Sequence, residues 1–179
     1  MKTPTQNNPS IVVLGVDPGL SMCGWGVVGR SGRNLLSMLD YGCIKTVPAT
    51  TLPMRLRAIS ETLNALIEKY SPQVMAVEEL FFSKEARTVA AVAQARGVIL
   101  LAASAHGLPV CEYNPRHVKI SLTGYGSAEK QQIQHMVKAM LGLPSIPKPD
   151  DAADALAIAI THLNTGESAY AKALKSVQQ

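Results

Sequence analysis

Residues 10–25 read SIVVLGVDPGLSMCGW, a short apolar run that ends in a single acid. The unbroken run at residues 11–14 predicts a strand that is buried on both faces. Because a lone carboxylate is costly to bury, we expect Asp17 at the exposed tip of this strand or beside a compensating cation. Gly15 and Gly19 leave room for a bulky group to approach the backbone. The alternative is that Asp17 only caps the turn that follows it.

The remaining pattern predicts one α/β domain. Strands are predicted at residues 11–16, 24–28, 35–45, 73–80 and 109–113, and helices at 52–70, 84–106, from 127 onward and at 151–164, with a turn or short helix at 114–115. Three strands in antiparallel succession followed by alternating strands and helices indicate a mixed five-stranded sheet with helices on both faces. We expect residues 1–10 to form a flexible tail, 11–164 a single domain and 165–179 a polar tail.

Composition limits the classes of protein that fit. The 179 residues are 47% hydrophobic but only 4% aromatic, which suits aliphatic helices packed on a sheet. The net charge of +4 and the pI of about 9.0 are compatible with a polyanionic partner without requiring one. Three widely spaced cysteines predict reduced thiols and a cytoplasmic location. No signal peptide or membrane span is predicted.

The predicted helix at residues 84–106 is apolar on more than one side. Its Val, Ala and Leu residues do not fall on a single stripe. A helix that is apolar nearly all round needs a second surface to cover it. We therefore expect this helix to pack against a partner subunit.

A second acid ends another apolar run. Glu78 follows residues 74–77 as Asp17 follows the first strand. Neighbouring parallel strands would bring these two acids together at the carboxyl edge of the sheet, where open α/β sheets bind ligands. Successive side chains of a strand point to opposite faces, so only one of Glu78 and Glu79 can face Asp17. The pattern leaves open which one does, and the pair could simply end a strand at the surface.

The last predicted helix begins with further acids. Asp151 and Asp154 are three residues apart and therefore share a helical face. Asp150 is expected to be the N-cap. Acids in a first turn are favoured by the helix dipole alone, so a purely structural role is the alternative.

Acids converging from separate elements would repel one another unless cations held them together. All the candidate ligands are oxygen donors, which favours Mg²⁺ or Mn²⁺ over zinc. Two such ions can serve both the attacking water and the leaving oxygen in phosphodiester hydrolysis. If these acids converge, the pattern therefore fits a metal-dependent phosphodiesterase site, and the alternative is that each acid only ends or caps its own element.

Four stretches resemble the RuvC family of crossover junction endodeoxyribonucleases, the bacterial Holliday junction resolvases. They are VLGVDPGLSMCGWGVV, VEELFFSKEARTVAAVAQARGV, GSAEKQQIQHMV and DDAADALAIAITH, within residues 11–162. The resemblance implies a ribonuclease-H-like fold, a homodimer, divalent metal and work beside a branch-migration helicase complex of the RuvA and RuvB type. It makes the metal-binding catalytic acids Asp17, Glu78, Asp151 and Asp154.

The resemblance also implies DNA contacts. It assigns Phe81 to stacking on a DNA base, where a ring contributes about 1–3 kcal/mol; the alternative places Phe81 and Phe82 in the core. Lys119 and Lys130 match lysines near the scissile phosphate. A basic face suits phosphates, although a solvated lysine stripe is the usual alternative. Further candidates for this face are Arg116, His117, Gln134 and Lys138, with Lys84, Arg87 and Arg96 either in the groove or solvent-exposed.

His162 lies two turns from Asp154 and is expected to be a packed or capping residue rather than a base. The preferred hypothesis is a structure-selective endonuclease that resolves four-way DNA junctions in recombination and repair, nicking two strands and leaving 5′-phosphate ends. Sugar-kinase or actin-like ATPases also begin with a strand, an acid and a glycine turn, but they need a second nucleotide-clamping half. The pattern also admits a catalytically inert DNA-binding module and a nuclease that acts on structured RNA.

Overall fold

The computed structural model describes residues 9–32, 35–79 and 86–165, with the backbone alone for 86–88. Its elements are β1 (Ile11–Asp17), β2 (Met22–Ser31), β3 (Leu35–Lys45), α1 (Leu52–Tyr70), β4 (Val74–Glu78), α2 (Ala86–Ala105), β5 (Val110–Tyr113), α3 (Pro115–Thr123), α4 (Lys130–Met140) and α5 (Asp150–Thr165). The predicted element order is confirmed, and the segment after Asn114 is the short helix α3.

Two helix starts differ from the prediction. Helix α4 begins three residues later than expected, because Glu129 and Gln132 form a reciprocal capping box at its N-terminus. Helix α5 includes Asp150 as its first residue, so Asp150 is not the N-cap. The carbonyl of Pro149 accepts the N–H groups that open this helix. The Asp150 carboxylate is thereby available for other contacts.

The sheet has five strands in the order β3-β2-β1-β4-β5. Strand β2 pairs antiparallel with both β1 and β3, whereas β4 is parallel to β1 and β5 is parallel to β4. This is the predicted mixed sheet. As a result, β1, β3, β4 and β5 all end at one edge of the sheet, which we call the carboxyl edge.

Helices cover both faces of the sheet, as predicted. Helices α1 and α2 pack on one face through residues such as Ile59, Leu63 and Ile99. Helices α3, α4 and α5 pack on the other through residues such as Val118, Ile133 and Leu156. Strand β1 is buried on both faces, because residues 12–16 are all buried. Burying both faces fixes the direction in which each strand side chain points.

The predicted tails lie almost wholly outside the described residues. Of the N-terminal segment, Ser10 donates its N–H to the Arg30 carbonyl at 2.8 Å. No disulfide joins Cys23, Cys43 or Cys111. Among the described helices, none has the length and apolar character needed to cross a membrane.

Candidate active site

Strand alternation places Asp17 and Glu78 on the same face of the sheet. On β1, Val13 packs with α5 while Val12 and Leu14 pack on the opposite face, so Asp17 points to the α5 side with Val13. On β4, the α5 side is occupied by Val74 and Ala76, which puts Glu78 there as well. Glu79 lies beyond the end of β4. The structure thus favours Glu78 over Glu79 as the partner of Asp17.

Two glycines allow helix α5 to lie directly on the strands that carry the site. A Cβ atom at Gly24 would be 2.0 Å from the Asp151 carbonyl oxygen, and one at Gly15 would be 2.1 Å from the Ala155 carbonyl oxygen. Any side chain there would push the helix away from the sheet. The expectation that Gly15 admits a bulky neighbour is confirmed, and that neighbour is the α5 backbone.

The carboxyl groups of Asp17 and Glu78 lie close enough to interact directly and to share a proton. Burial raises the pKa of Asp17 to about 8, with further contributions from the negative charges of Glu78, Asp154 and Asp151. The pKa of Glu78 is also raised, again chiefly by burial. Both acids therefore favour a protonated carboxyl group, and a proton shared by the pair relieves the repulsion between their charges.

Lys130 joins the acids from helix α4. Its Nζ atom lies 3.0 Å from Asp154 and 3.6 Å from Asp150. Partial burial acts to lower the pKa of Lys130, but the hydrogen bond and charge of Asp154 outweigh it and the pKa is raised. Burial raises the pKa of Asp154, while Lys130 opposes that rise. Nζ of Lys148 lies 2.8 Å from Oδ1 of Asp150, whereas Lys130 contacts Oδ2 of the same carboxylate.

Lys119 stands between two depressions beside the acids. A cavity of about 210 Å³ lies between α3, α4 and α5, with Glu78, Lys119, Lys130 and Asp154 among its lining residues. A second groove is lined by Glu79, Asn114, Pro115, Arg116, Lys119 and Gly126. Lys119 forms no ion pair with any described residue. Its charge is therefore available to an anion that reaches the acids.

The chemistry of the site fits a divalent cation. In the described part of the chain, no three His, Cys, Asp or Glu side chains form a ready-made metal site. However, a buried acid whose pKa is raised to about 8 by burial and by three neighbouring carboxylates lacks a compensating positive charge. The donors are all carboxylate oxygens, which suits Mg²⁺ or Mn²⁺. A cation placed among them would supply that charge and displace the proton from Asp17.

Three polar residues considered in the sequence analysis are packed into the protein. Gln134 is buried rather than on an exposed polar face. Arg96 is not freely solvent-exposed, because it pairs with Glu112 of β5 at 2.5 Å and its side chain is only 16% exposed. His162 is confirmed as a packed residue: it is buried, its Nδ1 lies 2.8 Å from the Tyr113 hydroxyl, and burial lowers its pKa to about 4.

The predicted DNA contacts are only partly described. Phe81, Phe82 and Lys84 lie outside the described residues, and only the backbone of Arg87 is described. Arg116 and His117 are exposed on α3, and Lys138 is partly exposed on α4.

The contact between Asp150 and Lys130 has no signal in the sequence. The sequence pattern indicates only a cap at Asp150 and gives no role to Lys148. Lys130 belongs to α4 and Asp150 to α5, and the sequence does not show which charged residues of two different helices come into contact.

The family model of the crossover junction endodeoxyribonuclease RuvC matches residues 13–162. The chain is 55% identical over 155 residues to the protein of that name from Endomicrobium trichonymphae, covering 87% of this chain and 82% of the relative. It is 52% identical to the Brevibacillus brevis protein of that name, covering 84% of this chain and 90% of the relative.

Solved structures show the same similarity. The T. thermophilus RuvC in complex with a Holliday junction substrate matches with a TM-score of 0.82 and 36% identity, over 93% of this chain and 97% of that chain. The yeast mitochondrial Holliday junction resolvase matches in fold alone, with a TM-score of 0.67 and 14% identity, over 98% and 88% of the two chains. The chain therefore belongs to the RuvC family of crossover junction endodeoxyribonucleases.

Proposed function

We propose that this endodeoxyribonuclease resolves four-way DNA junctions in homologous recombination and repair. It cleaves the bond between phosphorus and the 3′ oxygen on two strands, adding water and leaving 5′-phosphate and 3′-hydroxyl ends. The observation that carries the proposal is the cluster of Asp17, Glu78 and Asp154 with Lys130 at the carboxyl edge of the sheet.

Asp17, Glu78, Asp151 and Asp154 are the proposed ligands of two Mg²⁺ or Mn²⁺ ions. When bound, such ions stabilise the charge that develops on the phosphate and lower the pKa of water. The raised pKa values of Asp17, Glu78 and Asp154 support this assignment, because each reports a carboxylate that a cation would stabilise. Helix α5 contributes Asp151 and Asp154 as one rigid unit.

Lys119 and Lys130 are the proposed phosphate ligands at the site. Lys119 lines the cavity beside the acids and is free of ion pairs with described residues. Lys130 is held by the capping box at the start of α4 and by Asp154. Preorganised cations of this kind stabilise charge that develops in the transition state. Arg116, Lys138, Lys84, Arg87 and the stacking residue Phe81 complete the proposed DNA contacts.

A homodimer fits the task, because symmetric nicking of two strands requires two sites related by a two-fold axis. Helix α2 supports this arrangement. It buries Ala95, Ile99 and Ala103 against its own sheet but leaves Leu101 67% exposed. A second copy would cover that side of the helix.

We place the protein in the cytoplasm, beside a branch-migration helicase complex of the RuvA and RuvB type, with residues 11–164 as the nuclease domain. Cys23, Cys43 and Cys111 are all free thiols, which fits a reducing compartment. The similarity to a RuvC that binds a Holliday junction substrate supports the partnership with junction-processing machinery.

The test uses synthetic four-way junctions with Mg²⁺. Asp17→Asn and Asp154→Asn should each reduce cleavage by more than about 100-fold, the scale on which removal of one stabilising group acts. Junction binding should survive in both variants. Full cleavage by either variant would refute the acid assignment. Equal cleavage of linear duplex, or of structured RNA, would refute the four-way junction as the substrate.

A further inference from the structure

The end of strand β3 carries a pair of cations outside the cluster of acids. Lys45 is the last residue of β3 and is exposed, and Arg55 lies in the first turns of α1. Neither forms an ion pair with a residue that the structure describes. Two positive charges therefore stand uncompensated at one end of the sheet.

Arg55 is fixed in place by neutral groups. Its Nε donates to the Thr46 hydroxyl at 2.8 Å and its Nη2 donates to the Ser21 hydroxyl at 2.8 Å. The Thr46 hydroxyl in turn donates to the Leu20 carbonyl at 2.5 Å. This chain of bonds connects Arg55 to the loop that follows Asp17. Hydroxyl partners orient the guanidinium without neutralising it, which leaves its charge for a ligand.

The position of this pair follows from the strand order. Along the carboxyl edge, β3 lies on one side of Asp17 and Glu78, and β5 with Asn114 and helix α3 lies on the other. In the β2–β3 register, Cys43 is opposite Gly24, whose α-carbon faces Asp151, and Lys45 lies two residues farther on the same face. The acids are therefore flanked by Lys45 and Arg55 on one side and by Arg116 and Lys119 on the other.

We propose that Lys45 and Arg55 form a second phosphate-binding subsite, which holds the backbone of the cleaved DNA strand on the β3 side of the acids. The inference rests on the proposed function, since it assigns a path to the DNA across that same site. Strands in a sheet are about 4.8 Å apart, so β3 lies about 10 Å from β1. A DNA strand carries a phosphate for about every 3.4 Å of helix rise, so one strand can reach both subsites.

The chemistry of the pair favours DNA phosphate over an acidic protein surface. Arg55 offers the guanidinium donors that Thr46 and Ser21 leave over, and Lys45, the residue before Thr46, adds a point charge from the other face of the sheet. Both residues lie at the edge of the sheet that carries the acids. A DNA strand that delivers its phosphate to those acids must continue past them, either on the β3 side or on the β5 side. The subsite thus places positive charge on both sides of the acids, at Lys119 on one side and at the end of β3 on the other.

The test measures junction binding in metal-free buffer, so that binding is separated from cleavage. Lys45→Gln should weaken binding by about 3- to 10-fold and reduce the slope of log affinity against log salt by about one. The matched control is Arg57→Gln, which removes a cation two residues from Arg55 that is already paired with Glu61 at 2.6 Å. That control should leave both quantities unchanged.

A second measurement locates the contact on the DNA. Junctions carrying one neutral methylphosphonate near the cleavage point should bind wild-type protein more weakly at a position on one side of the cut, and Lys45→Gln should be insensitive to that substitution. One outcome would overturn the subsite alone. In it, the wild-type protein binds and cleaves junctions, and both Lys45→Gln and the Lys45→Gln/Arg55→Gln double variant keep the wild-type affinity and salt slope. Failure of the wild-type protein to bind junctions would overturn the proposed function as well.

Discussion

Gly24 of strand β2 lies against the backbone of Asp151, where a Cβ atom would come 2.0 Å from the Asp151 carbonyl oxygen. This contact sets the height of helix α5 above the sheet. Asp151 and Asp154 are on that helix, whereas Asp17 is on the sheet, so the separation of the acids depends on a residue that has no side chain. The site is therefore built by close backbone packing as well as by the acids themselves.

Replacing Gly24 by alanine should destabilise the protein and displace Asp151. Overpacking of this kind costs about 1–3 kcal/mol in the free energy of unfolding. Junction cleavage by the folded fraction should also fall. Denaturant unfolding and single-turnover cleavage would measure the two effects.

Gly97→Ala is the matched control for the stability of the single chain alone, because a Cβ at Gly97 in helix α2 meets nothing within 4 Å there, whereas Gly97 lies one turn before Leu101 on the side of α2 that we propose a second copy covers. That change should be neutral or should stabilise the helix by about 0.5–1 kcal/mol. A Gly24→Ala variant with wild-type stability and cleavage would show that α5 can shift without consequence for the acids.

Glu78 and Glu79 should differ sharply in function although they are adjacent. Glu78 interacts directly with Asp17, whereas Glu79 lines the separate groove with Arg116 and Lys119. Glu78→Gln should nearly abolish cleavage of bound junctions. Glu79→Gln removes a negative charge from a basic groove and should bind DNA at least as tightly as the wild type. The reverse ranking, measured as single-turnover rates at saturating protein, would contradict the placement of Glu78.

The stability of the metal-free protein should fall as the pH rises from about 4 to about 8. Burial raises the pKa of Asp17 from 3.8 to about 8, so in this range the folded protein keeps a proton that the unfolded chain has released. The unfolding free energy decreases with pH wherever the folded state binds more protons. Thermal unfolding in EDTA should record this decline, and Asp17→Asn should flatten it.

Addition of Mn²⁺ at alkaline pH should raise the melting temperature of the wild-type protein, because a cation stabilises the ionised acids. The increase should be much smaller in Asp17→Asn. A melting temperature that is unaffected by Mn²⁺ in the wild-type protein would contradict the assignment of the acids as metal ligands.

Tyr113→Phe should destabilise the protein without abolishing cleavage. The Tyr113 hydroxyl lies 2.8 Å from Nδ1 of the buried His162 and 3.3 Å from the Thr165 hydroxyl. The substitution removes a hydrogen-bond partner from the buried imidazole of His162, which lowers the free energy of unfolding by about 1–3 kcal/mol. Because His162 is proposed to be structural, cleavage per folded molecule should persist. A loss of cleavage with unchanged stability would instead give this pair a role in the reaction.

Much of the fold follows from local patterns. The apolar run before Asp17 and the alternation of strands and helices after Leu52 predict the element order and the mixed sheet, because burial periodicity depends on neighbours in the sequence. The predicted starts of α4 and α5 are wrong by one to three residues. In those cases, capping by Glu129 and by the Pro149 carbonyl decides where the helix begins.

The site is only partly predictable for a different reason. The pattern brings Asp17 to the end of one strand and leaves Glu78 and Glu79 as alternatives. Strand parity in the folded sheet resolves that choice. The pairing of Lys130 with both Asp154 and Asp150 has no local signal, since these residues are 20 or more positions apart.

The sequence by itself determined which side chains can do chemistry here and on which elements they stand, because spacing along a strand or a helix fixes the face on which a residue lies. Only the tertiary structure decided how far apart these groups are and which ones share a proton or a cation. Those outcomes depend on backbone contacts such as Gly24 with Asp151, and on burial that arises only when α5 closes over the sheet.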